Sequence, residues 1–217
     1  MTDSDPTGAV AFDRGCRRCP RLANFLDEVK GRHADYYCGP VPPFGDAAAR
    51  LLIVGLAPGM HGANRSGRPF TGDYAGVLLY ETLHKFGFAS AAESVAADDD
   101  LELLDCRITN AVKCLPPENK PVGAEVNECN RYLAAELRTL PEDSVVLALG
   151  GIAHRAIIKA LGLRQADYRF GHAALHRLEG LNVLDSYHCS RYNTNTGRLT
   201  AEMFEAVFAQ ARQLLPV

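Results

Sequence analysis

Two sets of residues in this 217-residue chain are spaced in ways that could support chemistry. The first is a set of cysteines. Cys16-Arg17-Arg18-Cys19 is a CxxC pair, Cys114 follows after 94 intervening residues, and Cys129 comes after 14 more. Thiolates hold zinc or iron–sulfur clusters, and a zinc ribbon usually pairs one tight CxxC with a second, which is missing here. The loose C-x2-C…C-x14-C spacing suits a cuboidal iron–sulfur cluster, which needs four converging thiolates rather than fixed intervals. Spacing alone leaves zinc and unrelated thiols open. Of the other three cysteines, Cys106 opens an apolar run and reads as a small buried hydrophobe. Cys38 has no assignable partner. Cys189 adjoins His188, but neighbours in an extended chain point to opposite sides, which disfavours a Cys–His dyad.

The second set lies in loops. Residues 55–76 carry six glycines in 22 positions, beginning Gly55-Leu56-Ala57-Pro58-Gly59, so backbone N–H groups can approach an anion or a flat ligand closely. No Gly-Lys-Ser/Thr follows, which excludes a Walker loop, and G-x-G-x-x-G is absent, which excludes the dinucleotide fingerprint. Within this loop Phe70 and Asp73 stand three apart, directly before a helical pattern. The plain readings are a core ring and an N-cap worth about 1 kcal/mol. Asn110 ends an apolar run and offers two amide donors and an acceptor. His188 ends another, and Ser190, Arg191, Tyr192, Asn193, Thr194, Asn195 and Thr196 after it form a polar stretch suited to phosphates.

Elements that would position these residues can be read from hydrophobic pattern. Leu51–Gly55, Cys106–Val112, Val145–Leu149 and Leu181–Tyr187 are short apolar runs ending in turn-forming residues, as expected of strands buried on both faces. Helical spacing covers Tyr74–Phe86, Glu125–Leu140, Ile152–Leu161 and Leu199–Leu215, with Tyr74, Val77, Leu78 and Leu83 expected along the inner face of the first. The alternation predicts a three-layer α/β/α sandwich on a parallel sheet. The loops around Phe70, Asn110 and His188 then follow strand C-terminal ends, where open α/β sheets bind ligands. One domain is expected, with residues 1–49 as a turn-rich N-terminal extension and the acidic stretch Glu93–Asp105 as a solvated loop or helix end.

Composition sets the limits. The chain is 47% hydrophobic and 23% charged with net charge −3, which argues against a broadly basic nucleic-acid binder. Residues 151–200 nevertheless carry seven Arg or Lys against three Asp or Glu, a basic segment compatible with DNA. The acidic N-terminus lacks the apolar core of a secretory signal, and no run reaches membrane-spanning length, so a cytoplasmic protein is expected.

Taken in order, CRRC, GLAPG with HGANRSGRPFTGD, TNAVKCLPPENKP, Cys129 and HCSRYNTNTGRLT resemble the uracil-DNA glycosylase superfamily over nearly the whole chain, and closely its family 5 (type B) iron–sulfur branch. The resemblance implies a four-stranded parallel sheet in an α/β/α sandwich. It also implies a structural [4Fe–4S] cluster on Cys16, Cys19, Cys114 and Cys129. It further implies a monomer acting on single- or double-stranded DNA that contains uracil or other deaminated bases. Phe70 would stack on the flipped base, Asn110 would read its Watson–Crick edge, and Gly55 and Ala57 would border it. His188 would stabilise charge on the leaving base and Asp73 would activate water. Ser190, Arg191 and Asn193 would grip phosphates, and Tyr192 would wedge into the vacated stack. Two departures stand out. Ala57 occupies a position where many relatives carry Asp, Asn or Glu, which moves the carboxylate role to Asp73 and widens the expected base range to hypoxanthine and xanthine. Cys189 replaces an apolar residue, often Pro. The missing polar group also keeps a second reading in play, a catalytically weak damage-binding protein on the same fold.

Overall fold

The computed structural model describes residues 11–215. The acidic opening stretch, expected to be no secretory signal, lies mostly outside the described residues. The four apolar runs become parallel strands: β2 (Leu51–Gly55), β3 (Cys106–Asn110), β4 (Ser144–Leu149) and β6 (Leu181–Ser186). Two antiparallel edge strands flank them, β1 (Phe44–Gly45) beside β3 and β5 (Leu175–Leu178) beside β6, giving the order β1-β3-β2-β4-β6-β5. The expected four-stranded parallel sheet is therefore the centre of a six-stranded mixed one. The additions escape pattern reading because β1 has two residues and β5 is half-exposed, with no continuous apolar run.

Seven α-helices surround the sheet among the described residues: α1 (Pro20–Arg32), α2 (Ala63–Ser66), α3 (Tyr74–Lys85), α4 (Gly123–Arg138), α5 (Gly151–Ala160), α6 (Arg191–Asn195) and α7 (Ala201–Leu214). Strand side chains alternate between two cores, as the pleat requires. Leu51, Ile53, Val145, Leu147 and Leu184 meet Leu79, Leu83, Phe204 and Phe208 of α3 and α7. Leu52, Val54, Val146, Ala148 and Val183 meet Leu133, Ala153 and Ile157 of α4 and α5. This is the three-layer arrangement expected, with a correction within α3. Tyr74 and Val77 are exposed, and the inner face is Gly76, Leu79, Tyr80 and Leu83.

The stretch before the sheet also differs from a turn-rich extension. Pro20 at the first helical position starts α1, whose Leu22, Ala23, Leu26 and Val29 are buried. Leu22 packs with Val112, Cys129 and Tyr132, and Leu26 and Val29 with Leu115, so α1 covers the chain that leaves β3 and the middle of α4. Among the described residues no helix is long and apolar enough to cross a membrane.

Candidate functional site

A cleft of about 430 Å³ opens beyond the C-terminal ends of β2, β3, β4 and β6. Ala57, Phe70, Asp73, Asn110, His188 and Arg191 all border it. Chain segments separated by more than a hundred residues thus converge because the parallel strands deliver their loops to one edge.

Asp73 is the N-cap of α3. Its Oδ1 accepts the Gly76 N–H at 2.8 Å, and the rest of the carboxylate turns toward the glycine loop. A Cβ at Gly62 would stand 2.4 Å from the Asp73 Cβ and 2.5 Å from Oδ2, so glycine is needed there for the carboxylate to lie this close. Burial raises the Asp73 carboxyl above its ordinary range, opposed in part by amides at Gly76 and Ala75. A half-buried carboxylate with one oxygen free of the cap is suited to accept a proton.

Gly55 serves the other wall in the same way. A Cβ there would come within 2.4 Å of Asn110 Oδ1 and 2.7 Å of the Phe70 ring. Phe70 combines the two readings the sequence allowed, since it is buried in the core and also borders the cleft. Its backbone has φ +55°, an unusual conformation for a bulky residue. Its ring stacks on that of His188, with centroids 5.9 Å apart and planes 27° from parallel.

Two buried atoms here, Asn110 Oδ1 and His188 Nδ1, have no hydrogen-bond partner in the protein. Such groups are costly unless a ligand or water satisfies them, so their convergence on one cleft marks a binding function. Burial lowers the His188 pKa to about 4, and the imidazole is neutral at physiological pH. The folded pKa lies below the ordinary 6.5, so the unfolded chain binds the extra proton between pH 6.5 and 4. Stability should fall as pH drops through that window. Relative to His188→Gln, wild-type Tm should decline between pH 6.5 and 4; parallel curves would contradict the assignment. Cys189 points the other way and is fully buried with Leu199 and Phe204, as extended geometry required.

After His188 the polar stretch folds into α6. Ser190 caps it by accepting the Asn193 N–H, and the Asn193 side chain donates to the His188 carbonyl at 2.8 Å. These two polar groups brace the turn in this structure, a role their composition did not reveal. The Arg191 guanidinium lies 4.8 Å from the centre of the Tyr74 ring, and Thr194 donates to the Tyr74 hydroxyl. Tyr192 projects outward with 71% of its surface exposed.

Sequence reasoning missed the wall supplied by Leu149, Gly150, Gly151 and Ile152. The signal was present, because the third apolar run ends in Gly-Gly before a helix, just as the other strand ends lead into loops. Behind this wall His154 donates from Nδ1 to Asp185 at 2.8 Å and from Nε2 to the Tyr168 carbonyl at 2.9 Å. Burial works to lower the His154 pKa, but the Asp185 carboxylate and the Tyr168 carbonyl at its two nitrogens raise it on balance, and His176 Nε2 also lies 3.3 Å from Asp185.

A second assembly lies at the start of α1. Cys16, Cys19, Cys114 and Cys129 line one narrow cavity with Leu22 and Tyr132, and all seven cysteines of the chain are free. Burial first, and then the neighbouring Cys129, Glu125 and Cys16, push the Cys19 thiol up to about 11; Cys114 is raised for similar reasons. The Lys113 N–H points at Cys129 Sγ, 3.3 Å away.

A sheet that gathers strand-end loops around a carboxylate, a neutral imidazole and an unpaired amide defines an α/β protein built to bind and act on a flat polar group. The chain belongs to the uracil DNA glycosylase superfamily, whose family model matches residues 42–212 and so takes in every wall of the cleft. The Type-5 uracil-DNA glycosylase of Thermus thermophilus is 49% identical, over 92% of this chain and 93% of that protein. Those of Pyrobaculum aerophilum and Mycobacterium leprae are each 42% identical, over 90% and 92% of this chain and 87% and 91% of their own lengths. Membership makes the chain a DNA N-glycosylase, a hydrolase of the bond between base and sugar.

Proposed function

We propose that this protein removes uracil from DNA by hydrolysing the N-glycosidic bond, leaving an abasic site for base excision repair, and that it also accepts hypoxanthine and xanthine. The observation that carries this reading is the cleft in which Asp73, neutral His188 and the unpaired Asn110 amide converge. The scissile bond is unreachable inside the stack, so the nucleotide must flip into the cleft. Phe70 packs on the base and Asn110 hydrogen-bonds its edge. As the C1′–N bond breaks, its electron pair passes to the base, and the neutral His188 ring donates a hydrogen bond to the developing anion. Asp73 takes a proton from the water whose oxygen bonds to C1′, and its charge offsets that of the sugar. Ala57 contributes only a methyl group to the wall, so the cleft has room for a purine and no polar filter at that position. Arg191 and the Ser190–Asn193 turn meet the DNA backbone, with exposed Tyr192 as the wedge.

No lysine borders the cleft among its described walls, and buried Lys113 is paired with Glu136 and Thr109. The product is therefore an intact strand with an abasic site. The test is incubation with duplexes carrying uracil, hypoxanthine or xanthine, followed by alkaline cleavage. Uracil retained after prolonged incubation would sink the proposal and favour the damage-binding alternative.

The same reading gives the four cysteines a [4Fe–4S] cluster. Four thiols that line one narrow cavity are the right donor set for it. Cys16 and Cys19 precede α1, Cys114 follows β3 and Cys129 lies on α4, so the cluster would cross-link three segments that otherwise meet through an apolar cluster and the Arg18–Glu128 and Arg21–Glu125 ion pairs. When bound it supplies this cross-link and no electron to the hydrolysis. Protein as isolated should absorb broadly near about 400 nm, and Cys114→Ser should lose both this band and thermal stability. A colourless protein containing zinc would overturn the cluster.

A further inference from the structure

The acidic stretch 93–105, expected to be solvated, turns Ser94 and Asp99 inward beside the core residue Leu101. Ser94 is buried, and the Asp99 carboxylate accepts the N–H groups of Val95 and Leu101 while pairing with Arg68. Arg68 itself is only 5% exposed. Its guanidinium donates to Thr71 Oγ1 at 2.9 Å and Ser94 Oγ at 2.6 Å, and lies 4.6 Å from the centre of the Phe44 ring. The Thr71 and Ser94 hydroxyls are 2.7 Å apart, and the Gly72 N–H donates to the Ser94 carbonyl at 3.0 Å.

These bonds bracket Phe70. Arg68 and Thr71 are fastened on either side of Phe70 and its left-handed backbone, and the Tyr80 hydroxyl holds the Pro69 carbonyl between them at 3.0 Å. The first turn of α3 closes against the same peptide, where a Cβ at Gly76 would meet the Phe70 carbonyl oxygen at 1.9 Å. A conformation of this kind persists only when its surroundings over-determine it. Asp73 follows three residues later on the same taut segment.

We propose that Arg68 and Asp99 are positioning residues for the glycosylase reaction, their buried charge pair anchoring residues 68–73 so that Phe70 and Asp73 hold their places in the cleft. The inference rests on the proposed activity. Neither residue touches the cleft, so each acts through the backbone it holds. Arginine suits the position because its planar fork reaches Thr71, Ser94 and Asp99 at once, which a lysine ammonium does not.

Asp99→Asn tests this in the intact protein with its metal centre as isolated. A small displacement of a reacting group can cost about 100-fold in rate, so single-turnover release of uracil should fall by about 10- to 100-fold while affinity for uracil-free duplex stays within about threefold. Amide exchange at Gly72 and Gly76 should accelerate, with exchange in β2 and β4 unchanged. Ser94→Ala, which keeps the charge pair but removes the bridge, should shift both readouts in the same direction by less. It carries the test should Asp99→Asn fail to fold. A rate within about twofold of wild type in the folded variant would overturn the proposal. So would exchange that accelerates equally across the sheet, since that marks a general stabilising role. Exchange is measured without DNA. Wild-type protein that released no uracil would defeat the proposed activity, whereas unchanged exchange at Gly72 would defeat the anchoring.

Discussion

Asp73→Asn should slow uracil release by about 10³-fold, within the range expected for loss of a general base, while leaving DNA affinity nearly intact. The substitution is informative because Asp73 has two roles. Its Oδ1 caps α3 through the Gly76 N–H. Asparagine caps helices about as well as aspartate, so α3 should start where it does now. Only the proton-accepting carboxylate is lost. Single-turnover kinetics with binding to an uncleavable duplex separate the roles, and an unchanged rate would show that Asp73 is no more than a cap. The pH profile provides a second check. Burial raises the Asp73 pKa, and the reaction needs the ionised form, so wild-type activity should persist above that pKa and be lost as pH falls through it. The acid limb should therefore lie above the range of an exposed aspartate, and in Asp73→Asn it should disappear.

Gly62→Ala should cost about 100-fold without altering any group that touches the base or sugar. The new methyl would lie 2.4–2.5 Å from the Asp73 side chain, a separation that forces something to shift. Backbone on both sides is constrained: Gly62 carbonyl oxygen accepts from the Arg65 and Ser66 N–H groups, and Asp73 is held by its cap. The carboxylate is the part with most freedom, so it should swing out of line. Because the effect is on geometry rather than affinity, kcat should fall while KM changes little. A matching rise in KM alone would indicate that the loop shapes binding and not the position of Asp73.

How much of this was legible beforehand differs element by element. The four parallel strands were readable because strands buried on both faces must be continuously apolar, and such runs as Leu51–Gly55 and Val145–Leu149 have few other uses. Asp73 was readable as a cap from its place before Tyr74–Phe86, and His188 and Asn110 from their positions at strand ends. In α3 the periodicity was visible but its phase was not. Tyr74 and Val77 are apolar enough to pass for core, and only the position of α6 shows that Tyr74 instead meets Arg191 and Thr194.

By itself the sequence determined the secondary-structure alternation, the ordered motifs and hence the family, since these depend on residue type and local spacing. The tertiary structure decided what depends on partners remote in the chain. Arg68 and Asp99 look like ordinary surface charges until the loop folds over Phe70. Nothing local reveals that the Asn193 amide lies on the His188 carbonyl and braces the turn. Gly62 looks like one glycine among six until Asp73 arrives beside it. Local pattern records which face of an element is buried; it carries no record of which distant side chain lies against that face, and the placement of the catalytic groups depends on those contacts.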